Sequence, residues 1–88
     1  MTTGTRVEGI VRAVLVDVLA LSPARVASFD ADTRLFGALP ELDSMAVANL
    51  LAELEDRLGI RVEDEEVDGD LFATFGALLR FAEAKAAR

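Results

Sequence analysis

The chain has 88 residues, 52% of them apolar, with five Phe as its only aromatic side chains and no Cys, His, Trp or Tyr. That length supports one domain with one compact core and leaves no room for the deep enclosed cleft that many enzymes build. Sixteen acids against nine bases give a formal charge of -7, which repels nucleic acid and anionic lipid and favours partners with basic patches.

Without cysteine no disulfide can form, no signal-like segment is visible, and no apolar run approaches the about 20 residues that a membrane span requires. The expectation is therefore a cytoplasmic monomer with no nucleic-acid partner and no membrane span. A single domain is expected over residues 1 to 88, folded over about 6 to 84.

Val7, Ile10, Val11, Val14, Leu15, Val18 and Leu21 recur at three- and four-residue spacing and predict an amphipathic helix over residues 6 to 21. Ser22-Pro23 is expected to end it, since proline cannot continue the hydrogen-bond ladder. Residues 22 to 43 then form a long connection, broken by Pro23, Asp30, Asp32, Gly37 and Pro40 and pinned to the core by Val26, Phe29, Leu35, Phe36 and Leu39. A connection of this length in so small a domain is more often functional than idle.

A second helix is predicted from Ser44 to Leu58, with Val47, Leu50, Leu51, Leu54 and Leu58 on its core face and Gly59 as a left-handed cap. Its other side carries a shallow apolar strip, Met45, Ala48 and Ala52, flanked by Glu41, Asp43, Glu53, Glu55 and Asp56. Small apolar residues ringed by acids suit transient docking on a basic, partly apolar partner, although they also serve as ordinary helix filler.

Ile60-Arg61-Val62 reads as an extended connector that turns two side chains inward. The acidic segment over 63 to 70 holds at most one helical turn. Asp64, Glu66, Asp68 and Gly69 match positions 1, 3, 5 and 6 of a calcium loop, but position 12 is Phe75 where the bidentate Glu belongs, so no metal site is assigned. Thr74 is expected to cap a final helix with Phe75, Leu78, Leu79 and Ala82 inward, and the Lys-Ala-Ala-Arg end to fray.

No catalytic residue is assigned. The chain lacks His and Cys, and none of its three serines, Ser22, Ser28 and Ser44, has a Lys placed beside it as a base. Ser44 is open to two readings. It can be an N-cap, a role Asp43 fills equally well, or it can be a serine that another enzyme modifies, because a helix start favours an attached phosphate.

Asp43-Ser44-Met45, with the aliphatic first helix, DADTRLF, LLAELEDRLGI, the acidic turn and LFATFGALLRFA, resembles the acyl carrier proteins and their peptidyl-carrier relatives over about residues 6 to 84. The resemblance implies an all-α fold: a small right-handed four-helix bundle with three principal helices, one short helix and a long loop between the first and second. It further implies that Ser44, flanked by Asp43 and Met45, carries a covalent 4'-phosphopantetheine arm. A phosphopantetheinyl transferase would install it from coenzyme A with magnesium.

On that resemblance the chain is a non-catalytic carrier of an acyl or aminoacyl thioester. Glu41, Ala48, Glu53, Glu55 and Asp56 would take a docking role toward acyl-loading and acyl-transfer enzymes with basic patches. Many relatives have Gly two residues before the Asp, where this chain has Glu41, which implies a stiffer, more acidic approach to Ser44. The alternative is an acidic interaction module of the same fold that carries no arm.

Overall fold

The computed structural model describes residues 3–87, with side chains from residue 6 onward. Four α-helices follow in order: α1 (Thr3–Leu19), α2 (Pro23–Ala27), α3 (Ser44–Leu58) and α4 (Phe75–Ala86), with a single 3-10 turn at Asp64–Glu66 before α4. Among the described residues there is no strand, only one isolated antiparallel bridge between Arg34 and Thr74. No described helix is long and apolar enough to cross a membrane.

Helix α1 is the axle of the bundle and packs against α2, α3 and α4. Its three- and four-residue periodicity places Val7, Val11, Val14 and Leu15 fully inside. They meet Leu50 and Leu54 from α3, and Phe75, Leu78 and Ala82 from α4. Burying a side chain of this kind contributes about 1.5 to 3 kcal/mol, so each of these α1 positions matters to the stability of the bundle.

The helix ends earlier than the apolar period predicts. Ala20 turns left-handed at φ 56, a conformation that disfavours a side chain, and Leu21 folds back into the core from outside α1. Pro23 starts a helix instead of merely ending one. The Ser22 hydroxyl accepts the Arg25 N–H at 3.1 Å, and Pro23 takes the first-turn position where its missing N–H costs nothing. The expected long connection thus contains the short α2, and the acidic segment supplies only its 3-10 turn.

Residues 28 to 43 are irregular but firmly anchored. The Leu35 N–H donates to Ala73 O at 3.1 Å, Phe36 N–H to Phe72 O at 2.9 Å, Phe75 N–H to Thr33 O at 2.8 Å and Gly76 N–H to Ala31 O at 3.0 Å. These bonds stitch the loop to the start of α4, and Gly76 allows the approach: a Cβ there would lie 2.7 Å from the Ala31 oxygen. Leu35, Leu39 and Leu42 are buried beneath the loop.

Arg12 fixes the other side. Its guanidinium donates to Val26 O at 2.6 Å and Phe29 O at 3.0 Å, pairs with Glu8 at 2.8 Å, and lies 4.5 Å from the centre of the Phe75 ring. Two further expectations need correction. Phe36 is 50% exposed and does not pin the loop, because its backbone is held by Phe72 while its ring turns outward. Of the end expected to fray, Lys85 and Ala86 are still helical, and Lys85 reaches Glu66 at 2.8 Å and holds α4 to the acidic turn, while Ala87 is the C-cap and Arg88 lies outside the described residues.

Candidate functional site

The site is built at the start of α3. Asp43 is extended, at φ -100 and ψ -176, and its Oδ1 accepts the Ala46 N–H at 2.8 Å. Its carbonyl accepts the Val47 N–H at 2.9 Å. Asp43 is therefore the N-cap, and the cap reading of Ser44 is set aside by geometry. Ser44 is the first helical residue, exposed, with its hydroxyl left out of the capping bond.

This division of labour has a chemical consequence. The capping carboxylate ties down one first-turn N–H, while the positive end of the α3 dipole remains directed at the Ser44 side chain. A phosphate ester on Oγ would sit where backbone donors and dipole both favour negative charge. The loop before it is held from both sides: Leu39 and Leu42 are buried, and Arg25 of α2 pairs with Glu41 at 3.3 Å. Glu41 thus tethers the approach to Ser44.

Ser44 also opens onto a cleft of about 360 Å³ whose apolar walls are Phe36, Val47, Val67 and Phe72. Phe36 comes from the loop, Val47 from the next turn of α3, and Val67 and Phe72 from the segment before α4. On the far side of Ser44, Met45 is 75% exposed, and Ala48 and Ala52 continue an exposed strip along α3. Leu50 and Leu54 are fully buried on the opposite face, with Val47, Leu51 and Leu58 half-buried between.

The acids along α3 are less available than their number suggests. Glu53 pairs with Arg57 at 2.9 Å, and the same guanidinium bridges to Asp17 of α1 at 2.8 Å. The hydrogen bond to Asp17, then that to Glu53, raises the Arg57 pKa above its ordinary value. Glu55 is half-buried and accepts the Val62 N–H at 2.8 Å, fastening the extended connector to the helix. The Asp56 carboxylate is exposed and takes no hydrogen bond or ion pair among the described residues.

Of the sequence-predicted residues, Asp43, Ser44, Met45 and Glu41 therefore cluster at the start of α3, while Glu53, Glu55 and Asp56 lie along its later turns. Phe36 and Phe72, which complete the cleft, were not singled out by sequence as site residues. Among the described residues no group of three or more acids is arranged to hold a metal ion.

Comparison with known proteins adds two findings. The family model described as the phosphopantetheine attachment site matches residues 9–82. A holo acyl carrier protein from Nitrosomonas europaea, solved in solution by NMR, is similar at 40% identity with a TM-score of 0.82, over 93% of this chain and 96% of that one. No curated protein sequence matches.

Proposed function

Since this chain belongs to the phosphopantetheine-attachment family of carrier domains, we propose that it is an acyl carrier protein that holds its cargo through an arm on Ser44. The observation that carries this reading is the exposed Ser44 at the first position of α3, with Asp43 relieving it of the capping role.

The residues present fit the arm. On this reading Ser44 Oγ would be the nucleophile toward the coenzyme A pyrophosphate in the active site of a transferase: the Oγ–P bond would form, the bridging P–O bond to the nucleotide half would break, and the Oγ proton would pass to a base of the transferase, since this chain has no His or Cys to take it. The unpaired N–H groups at the start of α3 would favour the negative charge of the resulting phosphodiester. Once attached, 4'-phosphopantetheine supplies a distal thiol on which an acyl or aminoacyl group travels as a thioester.

Everything else asked of this chain is presentation. Rigid packing of α1 against α3 holds Ser44 in place, and the exposed strip of Met45, Ala48 and Ala52, with Asp43 and Asp56 beside it, is the surface offered to the transferase and to acyl-loading and acyl-transfer enzymes. The free Asp56 carboxylate suits a basic side chain on those partners. Glu41, Glu53 and Glu55 contribute mainly through the pairs that fix the surface's shape. The partner enzymes perform the chemistry, and the carrier itself is non-catalytic, acting in the cytoplasm as a monomer.

Incubation with a broad-specificity phosphopantetheinyl transferase, coenzyme A and magnesium tests this reading by intact mass. The wild-type chain gains one phosphopantetheine and Ser44→Ala gains none. An unmodified wild type that still binds an acyl-transfer enzyme would instead support the armless interaction module.

A further inference from the structure

Arg57 of α3 is shared between Asp17 and Glu53, and Arg25 of α2 pairs with Glu41. Arg61, just beyond α3, is exposed and makes no hydrogen bond or ion pair among the described residues. An exposed cation alone is ordinary, but the backbone that carries this one is fixed. Gly59 reverses the chain at φ 66. The Ile60 N–H then donates to Glu55 O at 3.1 Å and the Val62 N–H to Glu55 Oε2 at 2.8 Å, so a single residue of α3 clamps the chain on both sides of Arg61. With Ala52, Glu55, Asp56 and Ile60, Arg61 lines a shallow hollow of about 410 Å³. Asp56 is the other charge there without a partner, and the two line one hollow without pairing to each other.

We propose that this hollow is a mixed-charge docking site for a partner protein that presents a carboxylate to Arg61 and a basic side chain to Asp56, so that a purely basic patch is disfavoured there. This rests on the reading of α3 as the face offered to partners, and narrows which partners fit it. The occupant follows from charge complementarity. A lone anion gains Arg61 but is set against Asp56 and Glu55, and a lone cation gains Asp56 but meets Arg61 as a like charge. A side-chain pair of opposite sign satisfies both. The guanidinium fork of Arg61 matches a carboxylate with two parallel N–H donors, and Ala52 and Ile60 supply apolar wall for the stems of the partner's side chains. Because Glu55 already holds the backbone, docking orders little of the chain.

The test titrates helical peptides of equal length and identical apolar residues into the unmodified full-length chain, and follows the backbone amide resonances of Ala52, Asp56 and Arg61. One peptide carries a lysine and a glutamate two turns apart on one face, too far apart to pair within the peptide. The other has lysine at both positions. Although the chain has a formal charge of -7, wild type binds the mixed peptide about two- to fivefold more tightly than the two-lysine peptide. Arg61→Glu inverts that order, and, because Arg61 holds no contact among the described residues, leaves urea unfolding unchanged.

A wild type that binds the two-lysine peptide at least as tightly as the mixed one would overturn the proposal, as would an unchanged order in Arg61→Glu. Inorganic phosphate that moves the Arg61 amide as far as the mixed peptide does would also overturn it, by making the hollow a small-anion site. Failure of the carrier reading shows separately, as no mass gain in the transferase assay, whereas the order of the peptides is read on the unmodified chain.

Discussion

Removing the Asp43 carboxylate separates the structural role of the Asp-Ser pair from its chemical role. Asp43 Oδ1 accepts the Ala46 N–H at 2.8 Å and Ser44 makes no capping bond, so the two substitutions have opposite consequences. Asp43→Ala loses an N-cap, about 1 kcal/mol, and a negative charge beside the helix start, about 0.3 to 1 kcal/mol. For a domain of this size each kcal/mol moves Tm by about 4 to 8 °C, giving a fall of about 5 to 15 °C.

Asp43→Asn keeps an equivalent cap and loses only the charge, so it falls by less than half as much. Ser44→Ala alters an exposed first-turn side chain and stays within about 0.5 kcal/mol of wild type, although it abolishes modification. Thermal unfolding followed by far-ultraviolet circular dichroism, which reports helix content, reads all three. A Ser44→Ala variant that melts below Asp43→Ala would refute the assignment of the cap and, with it, the availability of the serine hydroxyl.

Other substitutions test the packing and the docking strip. Leu54→Ala, at a fully buried position, costs about 2 to 5 kcal/mol in urea unfolding, a large share of what so small a domain possesses. Gly76→Ala places a Cβ 2.7 Å from the Ala31 oxygen and costs about 1 to 2 kcal/mol despite alanine's better helix propensity; a stabilised variant would show that the loop is free to retreat. Asp56→Lys leaves urea unfolding unchanged and weakens binding to a basic partner in a salt-dependent manner. Glu55→Lys also removes the acceptor of the Val62 N–H and costs about 1 kcal/mol, so a double variant at these positions is not purely a surface change.

Helix α3 was legible from sequence at both ends because two local signals bracket its apolar period. Asp43-Ser44 supplies a cap at the start, and Gly59 takes the left-handed conformation, φ 66, at the end. Thr74 announces α4 in the same way, its hydroxyl accepting the Ala77 N–H at 3.1 Å. The short α2 was not legible, since five residues are too few to show a period and Pro23 reads equally as a stop or a start.

Phe36 shows the limit of hydrophobicity as a guide. Apolar residues are usually inside, but only tertiary hydrogen bonds reveal that this one is turned out. Arg12 was invisible for a related reason, as its carbonyl partners lie 14 and 17 residues away. The pairing of Glu53 was readable in principle, because an acid four residues before an arginine on a helix is a familiar pair, whereas the link from Arg57 to Asp17 spans 40 residues. The candidate serine was the reverse case: local spacing left it open between cap and attachment point, and the geometry of Asp43 removed the first option.

The central claim is that Ser44 bears the arm, and peptide mass spectrometry of the protein purified from its native host tests it most directly. The account predicts phosphopantetheine on the peptide containing Asp43-Ser44-Met45 and none on those containing Ser22 or Ser28. Protein isolated wholly unmodified, or carrying the arm at either of the other serines, would contradict it.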